Sequence, residues 1–110
     1  MAMPPLQRLT HGLPAPGTDE DILPLYASQG VLIERIVSHR HASPPGFWYD
    51  QPHDEWVTLV QGRAELQFEE GSQQLVAGDS VLIPAHCRHR VASTGTDTVW
   101  LAVHLPVVAD

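Results

Sequence analysis

Glu55 and His89 are the side chains in this sequence whose types and surroundings best suit chemistry. Glu55 opens the apolar run Glu55-Trp56-Val57-Thr58-Leu59-Val60-Gln61-Gly62, an acid separated by six residues from a turn glycine. His89 closes Gly78-Asp79-Ser80-Val81-Leu82-Ile83-Pro84-Ala85-His86-Cys87-Arg88-His89, with Ser93 three intervening residues further on. Carboxylates and neutral imidazoles bind divalent metals and carry protons near neutral pH. The chain has seven histidines and no lysine, which excludes Schiff-base chemistry and lysine general bases. Cys87 is the only cysteine, so a disulfide framework and an all-thiolate metal cage are excluded as well.

The elements that must position these groups read as strands. From Gly30 onward, short runs rich in Val, Ile, Leu, Trp and Thr alternate with Gly, Pro, Asp and Ser. Strands are predicted at Val31–Val37, Trp56–Gln61, Ala64–Glu69, Gln73–Val76, Ser80–Ile83, Arg90–Ser93 and Val99–Leu105, with an extra one at Phe47–Asp50. In Ala64–Glu69, Ala64, Leu66 and Phe68 alternate with Glu65, Gln67 and Glu69, giving one buried and one wet face. Gly62-Arg63, Glu70-Gly71-Ser72 and Gly78-Asp79 read as tight turns. Seven or eight short strands without a helical period predict an all-β antiparallel sandwich or barrel. Residues 1–29 read instead as an extended proline-rich arm, with five of the ten prolines before Tyr26. Residues 30–110 are the expected barrel domain.

Length and charge narrow the partners. A chain of 110 residues is of single-domain size. A net charge of -7 has the wrong sign for nucleic acid or an anionic membrane. No stretch approaches the roughly 20 apolar residues of a membrane span, and Met1–Pro16 lacks a secretory pattern, so a cytoplasmic protein is expected. An edge strand with a proline-rich arm needs covering, which leads to the expectation of a homodimer.

The two stretches resemble the signature motifs of the cupin superfamily. There the first motif reads Gly, five residues, His-x-His, three or four residues, Glu, six residues, Gly; the second reads Gly, five, Pro-x-Gly, two, His, three, Asn. Here the Glu55-to-Gly62 half and the Gly78, Pro84, His89 spacing are intact, and only fifteen residues separate Gly62 from Gly78. The resemblance covers Val31 to Leu105 and implies a single double-stranded β-helix, or jelly-roll barrel, with Glu55 and His89 on its inner face. Where the family has His-x-His, this chain offers Trp48 and Asp50, or Tyr49 and Gln51 on the shorter spacing. His86 replaces the motif glycine and Ser93 its asparagine.

The family's site implies a divalent metal, Fe, Mn, Ni or Zn. With the usual pair missing, His53, Glu55 and His89 resemble a two-histidine, one-carboxylate facial set, and His104 on the last strand is a candidate fourth ligand. Asp50 or Gln51 is an alternative from the mouth. Trp48, Tyr49, Asp50 and Gln51 are expected to line the pocket. His39 and His41 also form a His-x-His, but Glu55 follows His41 after thirteen residues and Pro44-Pro45-Gly46, far outside the family spacing. Arg88 and Arg90 are expected to point away from His89 into solvent. Three functions follow from the resemblance: a metal-dependent dioxygenase, decarboxylase or isomerase acting on a small organic molecule; a small-molecule-binding or sensing barrel without turnover; and a metal-free, epimerase-like barrel in which His89 works with Tyr49 or Asp50.

Overall fold

The computed structural model describes residues 2–107. Eight strands run in chain order: β1 Asp21–Ser28, β2 Val31–Ser38, β3 Glu55–Gln61, β4 Arg63–Phe68, β5 Gly71–Val76, β6 Ser80–Ile83, β7 His89–Thr94 and β8 Thr98–His104. They form a five-stranded sheet of order β1-β2-β8-β3-β6 and a three-stranded sheet of order β5-β4-β7. Every pairing is antiparallel. No helix occurs among the described residues.

The seven strands expected from Val31 onward stand within two residues of their predicted bounds. On β4, Ala64 and Leu66 are buried and Phe68 packs against the same core, as the alternation requires. Facing them from the other sheet are Val57, Leu59, Trp100 and Ala102, so each sheet supplies one wall of a single apolar core.

Two local expectations change. Phe47–Asp50 is not a strand: Tyr49 makes one antiparallel bridge, to His89, and the ladder goes no further. Pro44-Pro45 before it and Pro52 after it remove the N–H groups a longer ladder needs. Conversely, the last part of the expected arm is β1, which pairs with β2 along its length and shifts register between Pro24 and Tyr26. Proline is tolerated there because β1 is a sheet edge.

The rest of the arm is tied down by side chains that reach its backbone. Arg35 donates to the His11 carbonyl at 3.2 Å, and the Nε2 atoms of His39 and His41 bond the carbonyls of Pro14 and Gly17 at 3.1 and 2.9 Å. The His39-x-His41 pair therefore anchors the arm. Arg90 is a clamp and not a solvated charge: it donates to the Gln67 side chain and to the carbonyls of Ser43, Pro44 and Phe47. Arg88 does face outward, 3.7 Å from Glu69 and stacked over the Trp48 ring.

Gly62 makes the sharp turn from β3 into β4 with φ of +90°, and a Cβ there would lie 2.6 Å from Thr98 Oγ1 and 2.8 Å from Thr98 Cα. Thr98 is fully buried and cannot move aside. Gly62→Ala is expected to destabilise the fold by about 2 kcal/mol, read as a lower urea midpoint. An unchanged midpoint would show that neither strain nor close approach constrains this turn.

Candidate functional site

Strand alternation brings the chemistry together. Glu55, Val57 and Leu59 are buried on the inner face of β3 while Trp56 faces out. β8 pairs beside it, with His104 opposite Glu55 and Ala102 opposite Val57. On β2 the same phase puts Glu34 and Ile36 inward, next to Ala102 and Trp100. From the other sheet, His89 begins β7 and faces Glu55 across the gap, its Nε2 lying 3.9 Å from Glu55 Oε1. These inner faces line a half-open cavity of about 160 Å³. Its apolar wall includes Ile22, Ile36, Val57, Ile83, Val91 and Trp100, and its polar groups are Glu20, Glu34, Glu55, Tyr49, Gln51, His89 and His104.

The ambiguity at the missing His-x-His is resolved by the Tyr49–His89 bridge. Tyr49 and Gln51 line the cavity. Trp48 lies under Arg88, and Asp50 turns out to bond His86 Nδ1 at 2.8 Å, so neither lines it. Tyr49, Gln51, Glu55 and His89 thus line one cavity together. His86 sits at the motif glycine with φ of +62°, the left-handed conformation that position demands, and its N–H donates to the Gln51 carbonyl at 2.7 Å.

His89 is 5% exposed, with Nδ1 2.9 Å from the Cys87 carbonyl. A carbonyl only accepts, so Nδ1 carries hydrogen, and Nε2 is the nitrogen left facing Glu55. The Tyr49 ring stacks on this imidazole at a centroid distance of 5.2 Å. Burial, then the charges of Glu20, Glu55 and Glu34, push the Tyr49 phenol above its usual range, keeping it a donor at neutral pH. Glu55 is 8% exposed, and its carboxylate makes no hydrogen bond among the described residues.

His53 and His104 form a separate chain. His104 Nε2 donates to Glu34 Oε1 at 2.9 Å, and His104 Nδ1 lies 2.9 Å from His53 Nε2. Both nitrogens of His104 are thereby engaged, and His53 is turned toward His104. As ligands for one divalent ion, His53, Glu55, His89 and His104 do not fit as they stand. No three His, Cys, Asp or Glu side chains among the described residues form a group able to hold a metal ion.

Two lining acids were absent from the sequence-based candidates. Glu34 lies in a strand apolar on both faces, which hides its phase, and Glu20 stands just before β1 in what reads as arm. Glu20 accepts from Ser38 Oγ at 3.3 Å.

Fold and site together define a small antiparallel barrel with an acidic, histidine-bearing pocket between its sheets. A family model for the cupin domain matches residues 41–104, and the chain belongs to the cupin family. Among solved structures, a protein of Ralstonia eutropha JMP134 carrying the provisional description of a mannose-6-phosphate isomerase is 47% identical, over 94% of this chain and 99% of that one, with a TM-score of 0.90. A cupin superfamily protein of Desulfitobacterium hafniense DCB-2 is 21% identical over 93% of this chain and 94% of its own, with a TM-score of 0.78. An RmlC-like cupin with a double-stranded β-helix fold from Methanocaldococcus jannaschii is 16% identical over 86% and 87%, with a TM-score of 0.69. No curated protein matches the chain.

Burial raises the Glu20 carboxyl above the ordinary carboxylate value, with Glu34 and Asp19 adding to the effect and Ser38 and His41 opposing it. The folded chain therefore holds the Glu20 proton more tightly than the unfolded chain. That contribution favours folding below the unfolded pKa and is lost as pH rises through the folded value. Glu20→Gln, which retains an acceptor for Ser38, is expected to melt slightly higher than the unchanged protein at pH 7, with the gap closing below pH 4.5. A gap independent of pH in calorimetric scans would contradict this.

Proposed function

We propose that this cupin binds a small organic molecule in the barrel cavity and moves a proton on it, an isomerase-type acid–base reaction. The observation that carries the reading is the facing of a hydrogen-bond-free Glu55 and the free Nε2 of His89 across one cavity. In this reading His89 Nε2 takes a proton from carbon next to a carbonyl, and the Glu55 carboxylate stabilises the imidazolium that forms. Tyr49 and Gln51 are the available donors for the substrate's oxygen, and the apolar wall strengthens each of these interactions by keeping water away. The description of the Ralstonia protein supports proton transfer between adjacent carbons, the chemistry of an aldose–ketose isomerase.

The same pocket disfavours a phosphorylated sugar. Three carboxylates and no arginine line it, and the chain has no lysine, so a phosphate would meet repulsion with no cation to hold it. A cavity of about 160 Å³ also matches a ligand of roughly benzene size, about six heavy atoms.

Dihydroxyacetone and glyceraldehyde meet these limits as probes. Incubated in D2O, the protein is expected to incorporate deuterium beside their carbonyl groups, followed by proton NMR, and to leave mannose 6-phosphate untouched. His89→Gln is expected to slow exchange by about 10²–10⁴-fold. If the unchanged protein exchanges no faster than His89→Gln, the acid–base assignment is wrong and the cavity is a binding module without turnover.

We also infer that the protein works as a homodimer. A row of apolar side chains crosses the outer face of the larger sheet: Tyr26 beside Ile33, Ile33 beside Val103, Val103 beside Trp56, and Trp56 beside Leu82. Tyr26 and Leu82 are more than half exposed. A second copy related by a two-fold axis would cover this row with the same row. Light scattering is expected to give a dimer mass, reduced to a monomer by Trp56→Glu, and a monomer mass for the unchanged protein refutes the dimer.

A further inference from the structure

The cavity is lined by three carboxylates and two imidazoles, one acid more than its histidines can pair, and this bears on what fills it. Glu20 precedes β1, Glu34 lies on β2 and Glu55 on β3, so three segments aim carboxylates at one small space. The arginines nearest in sequence are turned elsewhere. Arg35 follows Glu34 but points to the opposite face of β2, toward His11 and Asp21, while Arg88 and Arg90 flank His89 and hold Glu69 and the 43–47 loop. Glu34 has His104, and Glu20 has the Ser38 hydroxyl. The Glu55 side chain, 11% exposed, has His89 Nε2 3.9 Å away but accepts no hydrogen bond among the described residues, and it lines the cavity.

A buried carboxylate without donors is costly, and a ligand that supplies donors and positive charge removes that cost. A protonated amine brings three N–H donors around one charge, enough to reach more than one carboxylate. The Trp100 and Tyr49 rings in the wall add surfaces that attract cations. We propose that the physiological ligand of this cavity is a small organic cation of about six heavy atoms, whose ammonium group is held at Glu55 and attracted by Glu20 and Glu34 in the same wall. This rests on the cavity being a ligand site, as the proposed function holds, and narrows the ligand from any small polar molecule to an amine.

Three probes of one shape and different charge test it: 3-aminopropane-1,2-diol, glycerol and glycerate, titrated calorimetrically into the full chain at pH 7. The amine is expected to bind at least tenfold tighter than glycerol, with glycerate weakest. Glu20→Gln is expected to weaken the amine about tenfold while leaving glycerol unmoved, a split that general loosening of the fold would not produce. The three wild-type titrations stand alone if that variant does not fold. Glycerol or glycerate binding as tightly as the amine overturns the charge assignment and leaves the ligand pocket in place. No binding by any probe overturns both. Mn²⁺ alone, displacing the amine at equal concentration, reassigns the acids to an inorganic cation and overturns the proposal. Amine binding without deuterium exchange on the carbonyl probes supports the cation assignment and defeats only the acid–base chemistry.

Discussion

Two sheets press their apolar faces together along most of their length, but where β3 and β7 begin, the side chains facing each other are a carboxylate and an imidazole. Their 3.9 Å separation is imposed from outside the pair. Glu55 is held by β6 on one side and β8 on the other, and His89 by β4 and by its bridge to Tyr49. Neither side chain chose its partner by mutual attraction, since no hydrogen bond joins them. Backbone ladders hold the two polar groups in place, and the surrounding core keeps solvent scarce around them.

That backbone control explains why so much of the site could be read along the chain. The seven-residue step from Glu55 to Gly62 is the length of β3 itself, an inward acid at one end and a turn at the other that only a residue without Cβ fits beside Thr98. Gly78, Pro84 and His89 likewise mark the start of β6, its end and the start of β7. What remained hidden was phase and placement. Trp48 with Asp50 and Tyr49 with Gln51 are equally good alternating pairs on paper, and only the Tyr49–His89 bridge chooses between them. Glu34 could not be placed because Val31, Ile33 and Val37 on one face and Leu32 and Ile36 on the other are all apolar. Glu20 carries no local pattern at all, since its position depends on β1 pairing with β2 across a proline-induced irregularity.

The histidines show how little residue type alone decides. Of seven imidazoles, His39 and His41 hold the arm, His86 fills a left-handed corner and leans on Asp50, and His53 and His104 pass a hydrogen bond to Glu34. His89 alone among those in the cavity keeps a ring nitrogen free of hydrogen bonds. Its availability comes from the Cys87 carbonyl, which occupies the other nitrogen and fixes the tautomer.

The arm is gripped at carbonyl oxygens, those of His11, Pro14 and Gly17, by Arg35, His39 and His41. A carbonyl belongs to every amino acid alike. The grip therefore recognises the path of the chain and not its spelling, and between residues 11 and 17 only Gly12, at a φ of +62°, is tied to its identity by that path, while the three side chains that do the holding are fixed by their task.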